Sequence, residues 1–94
     1  YFTYLYGSAV ESVRWVSGAT EFMRYVASTG NLGVGTPSPT EKIDINSDAI
    51  RVRGTRTPAS ASAPGEVGTV CWDASYVYVC TATDTWVRAA LSTW

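Results

Sequence analysis

Few side chains in this chain could do chemistry, and one kind is missing. The 94 residues include no histidine. That removes the usual general base at neutral pH and the commonest neutral metal ligand. A hydrolase built on Ser, His and Asp is therefore excluded. The two cysteines, Cys71 and Cys80, match no zinc spacing. Carboxylates remain: Glu11, Glu21, Glu41, Asp44, Asp48, Glu66, Asp73 and Asp84. A pair of them could hydrolyse a glycosidic bond. Most stand beside a turn, where hydrogen bonds to backbone N–H groups already account for an acidic residue. No catalytic residue is assigned, and the expectation is that the chain is not an enzyme. The glycines from Gly30 to Gly35 lack the Gly-Lys-Ser/Thr ending and the following helix of a phosphate loop. No cofactor and no metal site are expected.

Aromatic residues carry the remaining chemistry. There are four Trp and six Tyr in this short chain. Trp72, Tyr76, Tyr78 and Trp86 cluster near the C-terminus and could stack on sugar rings. The same residues could equally pack a subunit interface, where Trp and Tyr dominate. Packing is favoured for Trp72, Trp86 and Trp94. Tyr76 and Tyr78 are more evenly divided, because alternate strand positions share one face and both rings could be exposed.

The elements that position these groups read as short strands. Thr, Ser, Val and Ala are abundant and Lys occurs once, which suits strands and turns. Residues 1–6, 12–16 and 21–26 are expected strands, broken by Gly7-Ser8 and by Ser17-Gly18-Ala19. The second and third carry apolar residues on both faces, as strands sandwiched between sheets or chains would. Gly30-Asn31 is a turn. Leu32 and Val34 then alternate with Gly33 and Gly35, leaving one bare face on which another backbone can lie. Ser38-Pro39-Thr40-Glu41 fits a capping box, so at most one helical turn is expected there. Ile43–Asn46 and Ile50–Arg53 alternate cleanly and predict strands joined by a turn at Ser47-Asp48. Arg51 and Arg53 read as a solvated or salt-bridging face. Residues 54–65 contain no large apolar side chain and read as an extended Pro/Ala/Ser linker, with a type II turn at Pro64-Gly65. Three further strands, at 66–73, 75–82 and 85–91, predict an antiparallel meander.

Bulk properties bound the partners. A net charge of −1 without a basic run offers no surface for nucleic acid. No apolar run is long enough to span a bilayer. A chain of thin strands this rich in aromatics must cover them, so homo-oligomerisation is expected. The chain opens in mid-strand without Met, as the C-terminal piece of a longer protein would.

Two segments resemble bacteriophage fibre proteins. One is Gly30-Asn31-Leu32-Gly33-Val34-Gly35-Thr36, followed by Ser38-Pro39 and Lys42-Ile43-Asp44-Ile45. The other comprises Trp72-Asp73, the run from Tyr76 to Cys80, the run from Thr85 to Arg88, and Ser92-Thr93-Trp94. Together they cover about two-thirds of the chain. The resemblance implies a structural fibre of a tailed phage: all-β, with short antiparallel strands and hairpins intertwined in a homotrimer. Residues 1–53 would form the trimerisation segment, 54–65 the linker and 66–94 the tip. Leu32, Val34, Ile43, Ile45, Ile50, Val52 and Trp94 would pack the trimer. Trp72, Tyr76, Tyr78 and Trp86 are the candidate contacts to a bacterial surface glycan or protein. Other virion proteins would join on the N-terminal side. The expected place is the virion, after assembly in the host cytoplasm, a reducing compartment that favours two thiols over a Cys71–Cys80 disulfide. A head fibre or capsid decoration protein is the alternative, and a carbohydrate-degrading tailspike fragment a further one.

Overall fold

The computed structural model describes residues 2–5 and 12–94. Among them the fold is all-β, with no helix. Tyr1, Tyr6, the Gly7-Ser8 turn and Glu11 lie outside the described residues. Residues 1–50 and 51–94 form two compact units.

In the first unit the strands are β1 (Phe2–Leu5), β2 (Ser12–Ser17), β3 (Thr20–Val26), β4 (Asn31–Val34) and β5 (Ile43–Ile45), paired in that order. Hairpin turns need positive φ, and Gly18 (59°) and Gly30 (72°) supply it. β5 joins β4 in parallel. A parallel pair demands a crossover, and residues 35–42 provide one that is far shorter than a helical connection. That explains why the expected helical turn at Ser38–Glu41 is absent. The segment bends instead. Asp44 Oδ2 accepts from Thr40 N (2.9 Å) and Thr40 Oγ1 (3.3 Å), which replaces helical capping. Gly33 makes the fold-back feasible: a Cβ there would collide with the Thr36 carbonyl oxygen. The bare face foreseen in the sequence therefore accepts the chain's own crossover.

Register sorts this sheet into two faces. One carries the rows Val13–Tyr25–Leu32–Ile43 and Trp15–Met23–Val34–Ile45. The other carries Arg14–Arg24–Gly33–Asp44. Val26, in step with Arg24 and opposite Ser12, and Val16, in step with Arg14, stand on this second face, so β2 and β3 carry apolar residues on both faces as expected. A bulge interrupts the pairing: Trp15 pairs with Met23 but Val16 pairs with Glu21, leaving Phe22 unopposed.

The second unit holds β6 (Val70–Trp72), β7 (Tyr76–Ala82) and β8 (Thr85–Ala90), an antiparallel meander in that order. β6 is shorter than expected because the chain turns at Gly68 (φ 91°), with Thr69 N bonded to Glu66 O. Ile50–Arg53 is not a strand. No opposing strand takes its alternating groups, and Ile50 and Val52 are both exposed. Residues 52–65 run along the tip sheet. Arg56 N donates to Trp72 O (2.9 Å) beside β6, and Trp86 N donates to Ala61 O (2.9 Å) beside β8. Both open edges of the meander are so engaged, which suppresses stray strand pairing. The turn in this segment sits earlier than Pro64-Gly65: Ala63 N bonds Ser60 O, and Gly65 does not take the positive φ of a type II turn. The core consists of Tyr78, Cys80 and Trp86, with Ala63, Cys71 and Tyr76 packed against it.

Candidate functional site

The aromatic residues of the tip are organised by one carboxylate. Asp73 follows β6 and caps the turn into β7. Its Oδ1 accepts from Ser75 N (2.8 Å) and Tyr76 N (2.9 Å). Its Oδ2 accepts from Thr57 Oγ1 (2.6 Å) and Tyr78 OH (2.5 Å). Four donors on one carboxylate favour its charged form. The hydrogen bonds from Thr57 and Tyr78 are the largest causes, and they hold the Asp73 pKa far below the usual carboxylate range. In return, donation to Asp73 raises the Tyr78 phenol above its ordinary value. Asp73 therefore ties the segment before the meander, the β6–β7 turn and the centre of β7 together.

Register then sets the aromatic neighbours. Cys71, Tyr78 and Arg88 stand in one row across the sheet. Tyr76 is two residues from Tyr78 on the same strand, so both rings share a face. Their centroids are 5.7 Å apart, with the planes tilted by 48°. Arg88 reaches diagonally over Tyr76, its guanidinium carbon 4.0 Å from the ring centroid. Arg56 stands over the Trp86 ring at 5.2 Å. Trp86 Nε1 donates to Ala63 O at 3.1 Å. Tyr76 and Trp86 thus each have a guanidinium over the ring, and Tyr78 has the Asp73 carboxylate on its hydroxyl.

Tyr76, Tyr78 and Trp86 are brought together on one face, and Trp72 projects from the other. Tyr78 is 4% and Trp86 5% exposed, so both rings lie inside the tip. Tyr76 is half-buried under Arg88, while Arg88 itself is exposed. Trp72 is half-buried, and its Nε1 donates to Val52 O at 2.9 Å. The open part of this cluster is an arginine stacked on a tyrosine. Such a surface can donate hydrogen bonds to hydroxyl or acidic groups and offer ring edges to a sugar. Arg88, Arg56 and Thr57 were not singled out as site residues in the sequence. Arg88 follows Tyr78 by ten residues across a short turn, a spacing that could have placed it opposite.

The residues expected to pack a trimer are divided differently. Leu32, Val34, Ile43 and Ile45 share the apolar face of the first unit's sheet. Ile43 is 66% exposed, while Leu32 and Ile45 are half-buried. Ile50, Val52 and Trp94 are exposed and lie outside that sheet's strands. The cysteines do not pair: Cys71 stands opposite Tyr78 and Cys80 opposite Trp86, and both are free thiols. No group of His, Cys, Asp or Glu among the described residues could hold a metal ion.

No family model and no solved structure matches this chain. Two curated proteins do. One, from Klebsiella phage K64-1, is named a capsule K30/K69-specific depolymerase; it is 38% identical over 56 residues, covering 60% of this chain and 7% of that protein. The other, from Klebsiella phage K5-2, is named depolymerase 1, capsule K30/K69-specific; it is 50% identical over 36 residues, covering 38% of this chain and 4% of that protein. The chain spans less than a tenth of the length of these relatives. Both relatives are named depolymerases, which are enzymes, and this overturns the expectation that the chain is not an enzyme. The absence of histidine excluded one catalytic apparatus and left carboxylate chemistry untouched. The matches support a phage tail protein, and they do not single out a fibre.

Proposed function

We propose that this chain is part of a tailspike-type capsule depolymerase of a tailed phage, and that it supplies self-association and contact with the polysaccharide. The similarity to two phage depolymerases is the observation that carries this reading. The decisive experiment incubates the full-length protein containing this chain with purified capsular polysaccharide of the K30 and K69 types. The expected result is a fall in chain length by size-exclusion chromatography, with new reducing ends. Unchanged polysaccharide of both types overturns the depolymerase reading.

Self-association is supported by the apolar surface that each unit leaves open. Among the described residues of the first unit, no hydrophobic side chain is fully buried. Its face of Val13, Trp15, Met23, Tyr25, Leu32, Val34, Ile43 and Ile45 has no second layer of strands over it among the described residues of this unit. Next to it, Ile43, Ile45, Ala49 and Ile50 line a shallow groove. In the tip, Val70, Val79 and Val87 form a row across the sheet, with Val70 and Val87 exposed. Apolar faces of this extent mark association surfaces. Three copies around one axis would pool cores that are too thin alone.

A further inference from the structure

The polar face of the first unit's sheet contains an arrangement that stability alone does not explain. Arg14 on β2 stands directly opposite Arg24 on β3. Like charges at directly opposed positions repel. Glu21 is the acceptor they share. Its Oε1 takes Arg24 Nη2 (2.6 Å) and Nε (3.1 Å), with Arg14 Nη1 at 3.6 Å. Glu21 is three residues from Arg24, and in a regular strand it would point to the opposite face. The bulge at Phe22 turns it to the arginine side. Bulges that re-aim one side chain recur beside functional sites.

Among the described residues the balance is still unequal, with two cations against one carboxylate. Arg14 Nε is buried and has no hydrogen-bond partner among them. Its guanidinium is held in place at a cost, while the Arg14 side chain keeps 31% and the Arg24 side chain 25% of its surface open. Asp44 lies in the same row beyond Gly33, where its Oδ2 accepts from Thr40. Among the described residues the ion pairs of Arg14 and Arg24 are with Glu21 and not with Asp44.

We propose that Arg14 and Arg24, positioned by Glu21, bind the carboxylate of an acidic sugar. Arg24 spends Nε and Nη2 on Glu21 and Arg14 Nε is buried, so the incoming carboxylate would take the remaining Nη N–H donors of the two guanidinium groups, as charge-assisted hydrogen bonds. The choice of a sugar acid rests on the polysaccharide reading above. The site lies on the opposite face of the sheet from the surface proposed for self-association. Glu21 sets the spacing of the two guanidinium groups and limits entry to one further anion.

The test uses the purified chain and sodium glucuronate, with glucose and sodium sulfate as comparison arms at matched ionic strength. Glucuronate is expected to shift the side-chain Nε–Hε resonances of Arg14 and Arg24 and to raise the melting temperature, while glucose does neither. Added salt weakens the binding. Arg14→Gln is expected to weaken it about tenfold or more. Arg14→Lys keeps the charge without the guanidinium donors and should fall between. Because the melting shift is read on the unaltered chain, the proposal is testable even if a variant does not fold. Absence of any glucuronate effect overturns it, as does sulfate binding equal to glucuronate. Depolymerised capsule without glucuronate binding would sink this site and leave the depolymerase reading standing. Intact capsule with glucuronate bound would do the reverse.

Discussion

Asp73 shows how one residue can hold a small unit together. Its carboxylate replaces covalent or metal cross-links, since both cysteines are free thiols. The sign of its pH dependence follows from its lowered pKa. A depressed carboxylate contributes stability above its unfolded value, near 3.8, and loses it as pH falls towards the folded value. Resistance to denaturant should therefore fall below about pH 4 in the unaltered chain. In Asp73→Asn that acid-side loss should flatten, and the variant should be less stable at neutral pH. A pH series of urea unfolding curves checks both. If the two chains lose stability in parallel on acidification, the hydrogen bonds to Asp73 are not what depresses it. Turn chemistry made Asp73 legible as a backbone acceptor. Its second oxygen was not, because Thr57 lies sixteen residues upstream in a segment without apolar pattern. Trp86 was legible as a packing residue. It fills the tip core, and a Cβ on Gly65 would come within 2.7 Å of its ring. Trp86→Ala should destabilise the tip by about 3–5 kcal/mol, measured by the loss of near-ultraviolet circular dichroism on heating.

At the scale of elements, the crossover between β4 and β5 is the most exacting piece. Its success depends on Gly33 lacking a side chain where Thr36 folds back. Gly33→Ala should cost about 1–3 kcal/mol through overpacking. Gly18→Ala meets no neighbour, yet the residue takes a φ of 59°, so about 1 kcal/mol is expected. Urea midpoints of the two variants, compared with the unaltered chain, test this order. A smaller loss at Gly33 than at Gly18 would mean that the crossover is not packed as described. The alternating Gly pattern revealed a close approach but not its partner. Likewise the capping box at Ser38 pointed to a turn of helix that the structure does not form. Tertiary pairing of β5 with β4 left those residues no room for a turn of helix.

For the whole molecule, the apolar faces dominate. A sheet with Val34, Ile43 and Tyr25 open to solvent should associate. Light scattering of the purified chain is expected to give about three times the 10.1 kDa of one copy. Ile43→Glu, which places a charge on the most open residue of that face, on the edge strand β5, should shift the mass towards one copy. A chain that is already monomeric would overturn the trimeric arrangement.

Residue order by itself determined the all-β class, the hairpin turns at Gly18 and Gly30 and the three-stranded meander. These depend on φ preferences and period-two alternation, which act between near neighbours. Only the tertiary structure decided that β5 pairs in parallel with β4, that a bulge at Phe22 turns Glu21 to the arginine face, and that residues 52–65 engage the edges of the tip. Each of these is a register between distant segments. A shift of one residue exchanges the two faces of a strand, and nothing local in a sequence of alternating residues distinguishes the two outcomes.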